Sequence, residues 1–260
     1  MMQPIFQINA FASGPFSGNP AAVCPLSEWL DDALLQRIAA ESRLTCAFFV
    51  GGDGRYRLRW FTSATEIDGI CGHGTLAAAF VIANEFGDQS EELHFDVEAS
   101  ELCVRRQDDR YVLDLPALEP KRLDLPAAMN EVFGLEPQEV LGATDLIAVF
   151  PTEKDVADFD PDLAALVELP LRAVIVTAPG ADVDFVSRWF APKQGEGEDT
   201  GFTGSAHCSL VPYWAERLGR RRLAAQRLSP RGATIDCELR GDRVWLFCSA
   251  VKYMQGQLCL

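Results

Sequence analysis

Residues 71–76 read Cys-Gly-His-Gly-Thr-Leu, and an apolar run, Leu76–Ala83, continues directly from this turn. A similar turn, Thr-Gly-Ser-Ala-His at residues 203–207, opens a second apolar stretch about half a chain length later. Each stretch reaches a glycine, Gly87 or Gly219, at the same distance from the first glycine of its turn. Glycine commonly ends helices because it adopts positive φ without strain. The sequence therefore predicts two buried helices of equal length, each beginning at a glycine-containing turn.

The segments around the two turns repeat in the same order. Arg-Trp-Phe precedes each turn, at residues 59–61 and at residues 188–190. After each helix, apolar alternation predicts a β-hairpin, with turns at residues 107–109 and 241–242. Three ordered elements repeated at nearly one offset indicate a duplicated domain. We expect a mixed α/β (α+β) protein of two similar domains, each with its own sheet wrapped around its central helix.

The proline-rich stretch at residues 115–126 is typical of a linker between the two domains. We place the N-terminal domain at residues 1–118 and the C-terminal domain at residues 119–260. The last strand of the chain is a candidate for crossing back to the first domain.

Composition and charge exclude several classes of partner. The protein carries 23 Lys and Arg against 38 Asp and Glu, a formal net charge of −15. Such a surface repels phosphate groups, which argues against nucleic acid and anionic membranes, and we interpret the basic run at residues 217–222 as surface at a helix end. No apolar run approaches the ~20 residues of a membrane-spanning helix, and we expect no signal peptide. The eight cysteines show no Cys-x-x-Cys spacing, so we predict a cytoplasmic protein with reduced thiols and no metal site.

The two predicted helix starts are candidate binding sites for an anion. A buried helix start presents backbone amides that lack a helical partner, together with the positive end of the helix dipole. Gly72, Gly74 and Gly204 would let a ligand approach this backbone closely. If the domains face each other, both helix starts would bind one small carboxylate in a shared cleft. This arrangement favours proton transfer next to the carboxylate, because amide donors stabilise the negative charge that develops as the proton leaves.

Candidate acids and bases for this transfer lie close to both turns. Near the first turn they are Glu66, Asp68, Cys71 and His73; near the second they are Glu198, Asp199, Thr203, Ser205 and His207. His73 is the favoured functional histidine, because a histidine flanked by glycines in a turn seldom serves only to fill a core. His207 can equally cap its helix or pack, and His94 in an apparent strand is interpreted as structural. Glu66 either orients a catalytic group or holds its turn.

Several segments, each common by itself, form a specific combination that covers most of the chain. They are residues 16–24 (Phe-Ser-Gly-Asn-Pro-Ala-Ala-Val-Cys), 58–62, 66, 71–73, 188–192, 198–199 and 203–207. The combination resembles the PhzF-like (phenazine biosynthesis) family of the diaminopimelate-epimerase fold. The resemblance implies two domains, each a barrel-like sheet around a central helix. It also implies a homodimeric isomerase that acts on a small carboxylate without metal or organic cofactor. It also implies that His73 and Asp199 carry the family's catalytic groups and that Gly204 and Ser205 form its anion-binding turn.

Departures from the family pattern leave alternatives open. The family's catalytic glutamate would fall on Cys46, which is either a small core residue or a thiol that replaces the carboxylate. Cys71 occupies the place of the catalytic cysteine in similar turns of diaminopimelate epimerases and proline racemases, so it is either a packing residue or a thiol acid or base. Residues 200–202 read Thr-Gly-Phe where the family usually has Pro-Val, which affects the register of Asp199.

We therefore predict a PhzF-like isomerase or epimerase, with His73 and Asp199 handling the proton and a thiol partner, Cys46 or Cys71. The predicted substrate-binding residues are Gly72, Gly74, Gly204, Ser205 and Asn19, the last of which shapes its own turn or contacts ligand. One alternative is a catalytically inactive PhzF-like binding protein. Another is an imino-acid dehydratase or epimerase that uses Cys71 and Thr203.

Overall fold

The computed structural model describes residues 2–97, 100–124, 131–168, 172–191, 196–198 and 203–260. The chain divides into two compact units. The first unit contains Met1–Leu115 and Trp245–Leu260, and the second contains Pro116–Val244.

In the first unit, parallel and antiparallel strand pairs alternate. Its elements are β1 (Met2–Ala10), β2 (Asn19–Pro25), α1 (Asp32–Ser42), β3 (Thr45–Gly52), β4 (Arg55–Phe61), α2 (Gly72–Asn84), β5 (Glu92–Val97), β6 (Ser100–Gln107), β7 (Arg110–Pro116) and, from the end of the chain, β17 (Ala250–Cys259). β1 pairs antiparallel with β17 and β2, β2 parallel with β3, β3 antiparallel with β4, and β4 parallel with β5. β5, β6 and β7 continue as an antiparallel series. Helices α1 and α2 connect the two parallel pairs, which need such long crossovers.

The second unit repeats this order of strand pairing. Its elements are β8 (Lys121–Arg122), a 3-10 helix (Glu131–Phe133), β9 (Glu139–Gly142), β10 (Leu146–Val149), α3 (Glu153–Ala157), α4 (Leu163–Leu166), β11 (Val174–Pro179), β12 (Phe185–Ala191), β13 (Glu196–Glu198), α5 (Thr203–Leu218), β14 (Arg222–Arg227), β15 (Ala233–Arg240) and β16 (Arg243–Cys248), within which the unit ends. β9 pairs antiparallel with β10, β10 parallel with β11, β11 antiparallel with β12, β12 parallel with β14, and β14 antiparallel with β15. Helix α5 connects β12 to β14 just as α2 connects β4 to β5. The duplication predicted from the sequence is therefore confirmed in the strand pairing.

Helix α2 is buried around nearly its whole circumference. All of its residues except Phe80 and Asn84 are buried. It packs against β1, β2, β3, β6 and β17 of its own unit. An apolar, alanine-rich run favours a helix, and a helix that is apolar all round must be covered on every side. The predicted α+β architecture with a central helix is confirmed here.

Helix α5 accommodates a proline in its interior. Because Pro212 has no N–H, the carbonyl oxygen of Cys208 lacks its usual helical donor. The backbone N–H of Leu118 donates to that oxygen instead, at 2.8 Å. Two residues after the proline, the fully buried Trp214 stacks on Phe185 with 5.7 Å between ring centroids. The stacking on Phe185 joins α5 to β12, and the helix also packs against β14 and β15 of its unit.

The predicted turns adopt the backbone conformations that their residues favour. Gly87 and Gly219, which follow the two central helices, have φ of 72° and 66°. Asp108 and Gly241, in the two hairpin turns, have φ of 55° and 62°. Glycine and aspartate are among the residues that tolerate this left-handed region, which explains why the turns were visible in the sequence.

Two expectations from charge and hydropathy can be compared with the described residues. The basic run at residues 217–222 lies at the exposed end of α5, as expected. Its ion pairs include Arg217–Glu139, Arg220–Asp184 and Arg222–Glu238. Among the described residues, no helix is both long and apolar enough to cross a lipid bilayer.

Candidate active site

The start of α2 is organised around Cys71, the residue that precedes the helix. Its carbonyl oxygen accepts the first helical hydrogen bond, from the N–H of Thr75 at 3.0 Å. The Thr75 hydroxyl donates to the same oxygen at 2.8 Å. The amides of Gly72 and Gly74 lie ahead of this first helical bond, at the positive end of the helix dipole. The turn thus combines an amide-lined helix start with a buried thiol.

Cys71 and His73 contact each other at this helix start. The Sγ atom of Cys71 lies 3.6 Å from Nδ1 of His73. Both residues are buried, with exposed fractions of 0% and 1%. A thiol and an imidazole can each donate or accept a proton, so this contact joins two groups between which a proton can be shared. The sequence indicated each residue separately, and the helix start brings them together.

Trp60 packs directly on the start of α2 and explains why residue 74 is glycine. A Cβ atom at position 74 would lie 2.6 Å from Cδ1 of Trp60 and 3.0 Å from Sγ of Cys71. The indole is only 2% exposed and is confined by its surroundings. Gly74 therefore has a packing role besides its predicted role in ligand approach. Sequence reasoning did not select Trp60, although the repeated Arg-Trp-Phe triplet was a signal for it.

Glu66 holds the loop that leads from β4 to α2. Its two carboxylate oxygens accept hydrogen bonds from Arg59 at 2.6 and 2.7 Å. Arg59 also donates to Asp32, the first residue of α1, at 2.7 Å. Asp68, further along the same loop, is exposed. Of the two interpretations of Glu66, these contacts favour the one in which it holds its turn.

Cys46 lies on the other face of the sheet from the start of α2. It packs in an apolar cluster with Leu35 and Ile38 of α1. The neighbouring residue Ala47 is opposite Trp60, the residue that packs on α2, and successive strand residues point to opposite faces. Burial raises the pKa of the Cys46 thiol to about 11, against a weaker lowering by its hydrogen bond with Ser42. These observations favour Cys46 as a core residue rather than as a thiol acid or base.

Within α5, the histidine lies beyond the first residues of the helix. Gly204 is buried and Ser205 is half-buried at the beginning of α5. His207 is buried about one turn further along, where its ring lies 5.8 Å from that of Phe185. The arrangement supports the packing interpretation of His207, while Gly204 and Ser205 are at the helix start as predicted.

Several predicted groups of the second turn lie outside the part of the chain that the structure describes. Asp199 lies outside the described residues, as do residues 200–202. The side chains of Glu198 and Thr203 also lie outside the description. The roles predicted for Asp199 and Thr203 stay predictions.

Asn19 begins β2 and is buried, with 1% of its surface exposed. It follows Gly18, whose φ is 65° and which approaches Ala10 so closely that a Cβ atom would lie 2.3 Å from the carbonyl oxygen. Only glycine fits at such a position. This geometry is consistent with the interpretation in which Asn19 shapes its turn.

Comparison with known proteins gives consistent matches along the chain. The family model described as "Phenazine biosynthesis-like protein" matches residues 8–244. A Pseudomonas aeruginosa protein named as an uncharacterized isomerase is 49% identical over 257 residues, which is 98% of each chain. The crystal structure of a PhzF-family phenazine biosynthesis protein from Enterococcus faecalis matches with a TM-score of 0.95, 42% identity and coverage of 100% of both chains.

A solved structure with much lower sequence identity has a similar fold. The structure of a predicted epimerase from Pseudomonas aeruginosa matches 99% of both chains with a TM-score of 0.77 but only 20% identity. This likeness concerns the fold alone and agrees with the predicted epimerase-like architecture. Taken with the duplicated strand pairing and the helix start at Cys71, the matches over most of the chain confirm the resemblance found in the sequence. The chain belongs to the PhzC/PhzF family of phenazine biosynthesis-like proteins.

Proposed function

We propose that this protein is a PhzF-like isomerase or epimerase that moves a proton on a small carboxylate-bearing substrate without a cofactor. The observation that carries the proposal is the contact between Cys71 and His73, 3.6 Å apart at the start of a buried helix. The family assignment and the relative named as an isomerase support the reaction class.

The chemistry needs a base for the departing proton and a stabiliser for the charge that remains. His73 and Cys71 are the groups at the α2 start that can accept or return a proton. The amides of Gly72 and Gly74 would bind the carboxylate, and the positive end of the helix dipole would stabilise the enolate-like charge. Both kinds of group come from one turn, so a substrate carboxylate bound there would bring its α-carbon close to them.

The second helix start is proposed to contribute further donors. Gly204 and Ser205 lie in the first turn of α5, where an anion is favoured for the same physical reason. That they bind the same substrate as the α2 start, and that Asp199 is a second proton-handling group, are predictions. A Ser205→Ala variant tests whether the second helix start binds the substrate, because loss of a substrate contact would raise KM.

The homodimer that the family resemblance implies is also a prediction, which light scattering in solution would test.

The test is deuterium exchange in heavy water with cyclic and amino-acid-like carboxylates as probes. We expect the wild-type protein to introduce deuterium at the carbon next to the carboxylate of its substrate. Exchange should vanish in His73→Ala and in Cys71→Ala. Cys46→Ala is the matched control, because this buried thiol faces α1, and it should retain exchange.

Other outcomes of the deuterium-exchange experiment would favour a different function or contradict the proposed pair of residues. A probe that binds without exchange in the wild-type protein would favour the catalytically inactive binding protein. Exchange that persists in both His73→Ala and Cys71→Ala would overturn the proposed pair. Release of water from the substrate, lost in Cys71→Ala and Thr203→Ala, would favour the imino-acid dehydratase.

A further inference from the structure

The outer face of the β5–β6 hairpin carries a compact group of metal-binding side chains. Glu92 and His94 are two residues apart on β5, so their side chains point to the same face of the sheet. Cys103 on β6 lies directly opposite His94 in the antiparallel register. Directly opposed residues have their Cβ atoms about 5 Å apart, which places the imidazole and the thiol side by side.

The ligand atoms of these three side chains are close enough to share one ion. Each offers an atom within 4.8 Å of those of the other two. Nε2 of His94 lies 3.6 Å from Oε2 of Glu92, and Sγ of Cys103 lies 4.0 Å from the same oxygen. Ligands at about 2.0–2.3 Å from a tetrahedral ion are separated by similar distances, so only small side-chain movements are needed. In the part of the chain that the structure describes, no other group of this kind occurs.

We propose that Glu92, His94 and Cys103 form a site for Zn²⁺, with water as the fourth ligand. Thiolate, imidazole and carboxylate together are a zinc donor set, because the thiolate and imidazole suit a borderline-soft ion. Magnesium and calcium prefer sites made of oxygen atoms alone. The proposed site uses none of the residues proposed for catalysis.

The side chains around the proposed ligands already orient them. Oε1 of Glu101 lies 2.8 Å from Nδ1 of His94. A carboxylate on this nitrogen fixes the tautomer whose Nε2 faces the metal, as is common for zinc-binding histidines. Arg105 donates to Oε1 of Glu92 at 2.7 Å and leaves Oε2 directed towards His94 and Cys103. Arg105 itself lies over the Trp245 ring, 4.6 Å from its centroid, which limits its movement.

Sequence reasoning missed this group because it sought ligands close together along the chain. Here two short patterns, Glu-x-His at residues 92–94 and Glu-x-Cys at residues 101–103, lie on adjacent strands. The antiparallel register of the hairpin brings these side chains together by placing His94 opposite Cys103.

The experiment is titration of the full-length, chemically reduced protein with Zn²⁺ in competition with a chromophoric chelator. Co²⁺ serves as a second probe, because a cobalt–thiolate bond absorbs in the near ultraviolet. Cys103→Ser and His94→Gln should each lower the zinc affinity by more than about tenfold and should remove or weaken the cobalt–thiolate band. Glu101→Gln should lower the affinity by about 10–100-fold while keeping that band, because it acts through His94.

Two cysteine variants serve as controls. Cys259→Ser removes an exposed thiol and should leave binding unchanged. Cys71→Ser tests whether the thiol beside His73 binds the metal instead. The inference is overturned if one equivalent of Zn²⁺ does not bind above pH 7, if Cys103→Ser and His94→Gln bind like the wild type, or if Cys71→Ser abolishes binding. Failure of the deuterium-exchange experiment would not affect this result, since the two sites share no residue.

Discussion

The two central helices begin at similar sequences but place their histidines differently. His73 lies in the first turn of α2 and contacts Cys71 at 3.6 Å, whereas His207 lies three residues after Gly204 and packs on the ring of Phe185. The difference arises because Ser-Ala separates the glycine from the histidine in the second turn. In a helix, two further residues rotate a side chain by more than half a turn. Duplication has thus kept an amide-lined helix start in both units, while the histidine–thiol contact belongs to the first.

The repeated Arg-Trp-Phe triplet also has different partners in the two units. Arg188 is buried and donates from one guanidinium nitrogen to backbone carbonyl oxygens of α3 and the residues after it. The acceptors are Val156, Ala157 and Phe159, at 3.0, 3.1 and 2.6 Å. Arg59 is 26% exposed and pairs with the carboxylates of Glu66 and Asp32. The arginine of the triplet therefore stabilises buried backbone in the second unit, whereas in the first unit it holds the loop that precedes the proposed site.

The histidine comparison gives the largest expected effect. His73→Gln should lower kcat by about 10²–10⁴-fold, because it removes a group that we propose handles the proton. His207→Gln should keep kcat and lower the free energy of unfolding by roughly 1–3 kcal/mol, because it puts a polar amide into an aromatic core. Steady-state kinetics and urea unfolding on both variants separate these effects. Equal losses of kcat would contradict the assignment of chemistry to the first helix start.

The arginine comparison concerns stability. Arg188→Met should lower the free energy of unfolding by about 3 kcal/mol, because it leaves buried carbonyl oxygens without their charged donor. Arg59→Met should cost at most about 1 kcal/mol, because partly exposed ion pairs contribute little. Urea unfolding at equal ionic strength measures both. A larger destabilisation by Arg59→Met would contradict the conclusion that Arg188 stabilises the second unit by its buried contacts while Arg59 holds a partly exposed loop.

The glycine comparison tests how closely Trp60 fits the helix start. Gly74→Ala should destabilise the protein by roughly 1–3 kcal/mol, because its Cβ would overlap the indole. Gly52→Ala is the matched control, since a Cβ there would meet no atom within 4 Å and should change stability by less than about 0.5 kcal/mol. Thermal unfolding of the two variants provides the measurement. Similar melting temperatures would show that Trp60 can move to accommodate a Cβ atom at residue 74 with little loss of stability.

The sequence predicted elements whose causes are local. The two central helices, their glycine ends and the turn at residues 107–109 follow from apolar runs and from residues that tolerate positive φ. The family followed from short motifs spread along most of the chain. Partners were harder to predict, because a contact such as that between Arg59 and Asp32 depends on how α1 packs beside β4. For the same reason Cys46 had two interpretations until the register of β3 placed it against α1.

The candidate functional residues also differed in how far the sequence could predict them. His73 and Cys71 were found because they are neighbours in a single turn, where the helix geometry alone brings them together. Trp60 was missed because it reaches the site from β4. The proposed zinc ligands were missed because His94 and Cys103 belong to different strands.

What the sequence determined alone is the duplication, the buried helices with their glycine turns, and membership of the family, since all of these are written in residue order and spacing. The tertiary structure decided which side chains meet: a thiol and an imidazole at one helix start, the Phe185 ring beside the other histidine, and Cys46 turned towards α1. The physical reason is that strand register and helix rotation fix the face on which a side chain lies. A shift of one residue in a strand reverses that face, while the local pattern of residues stays the same.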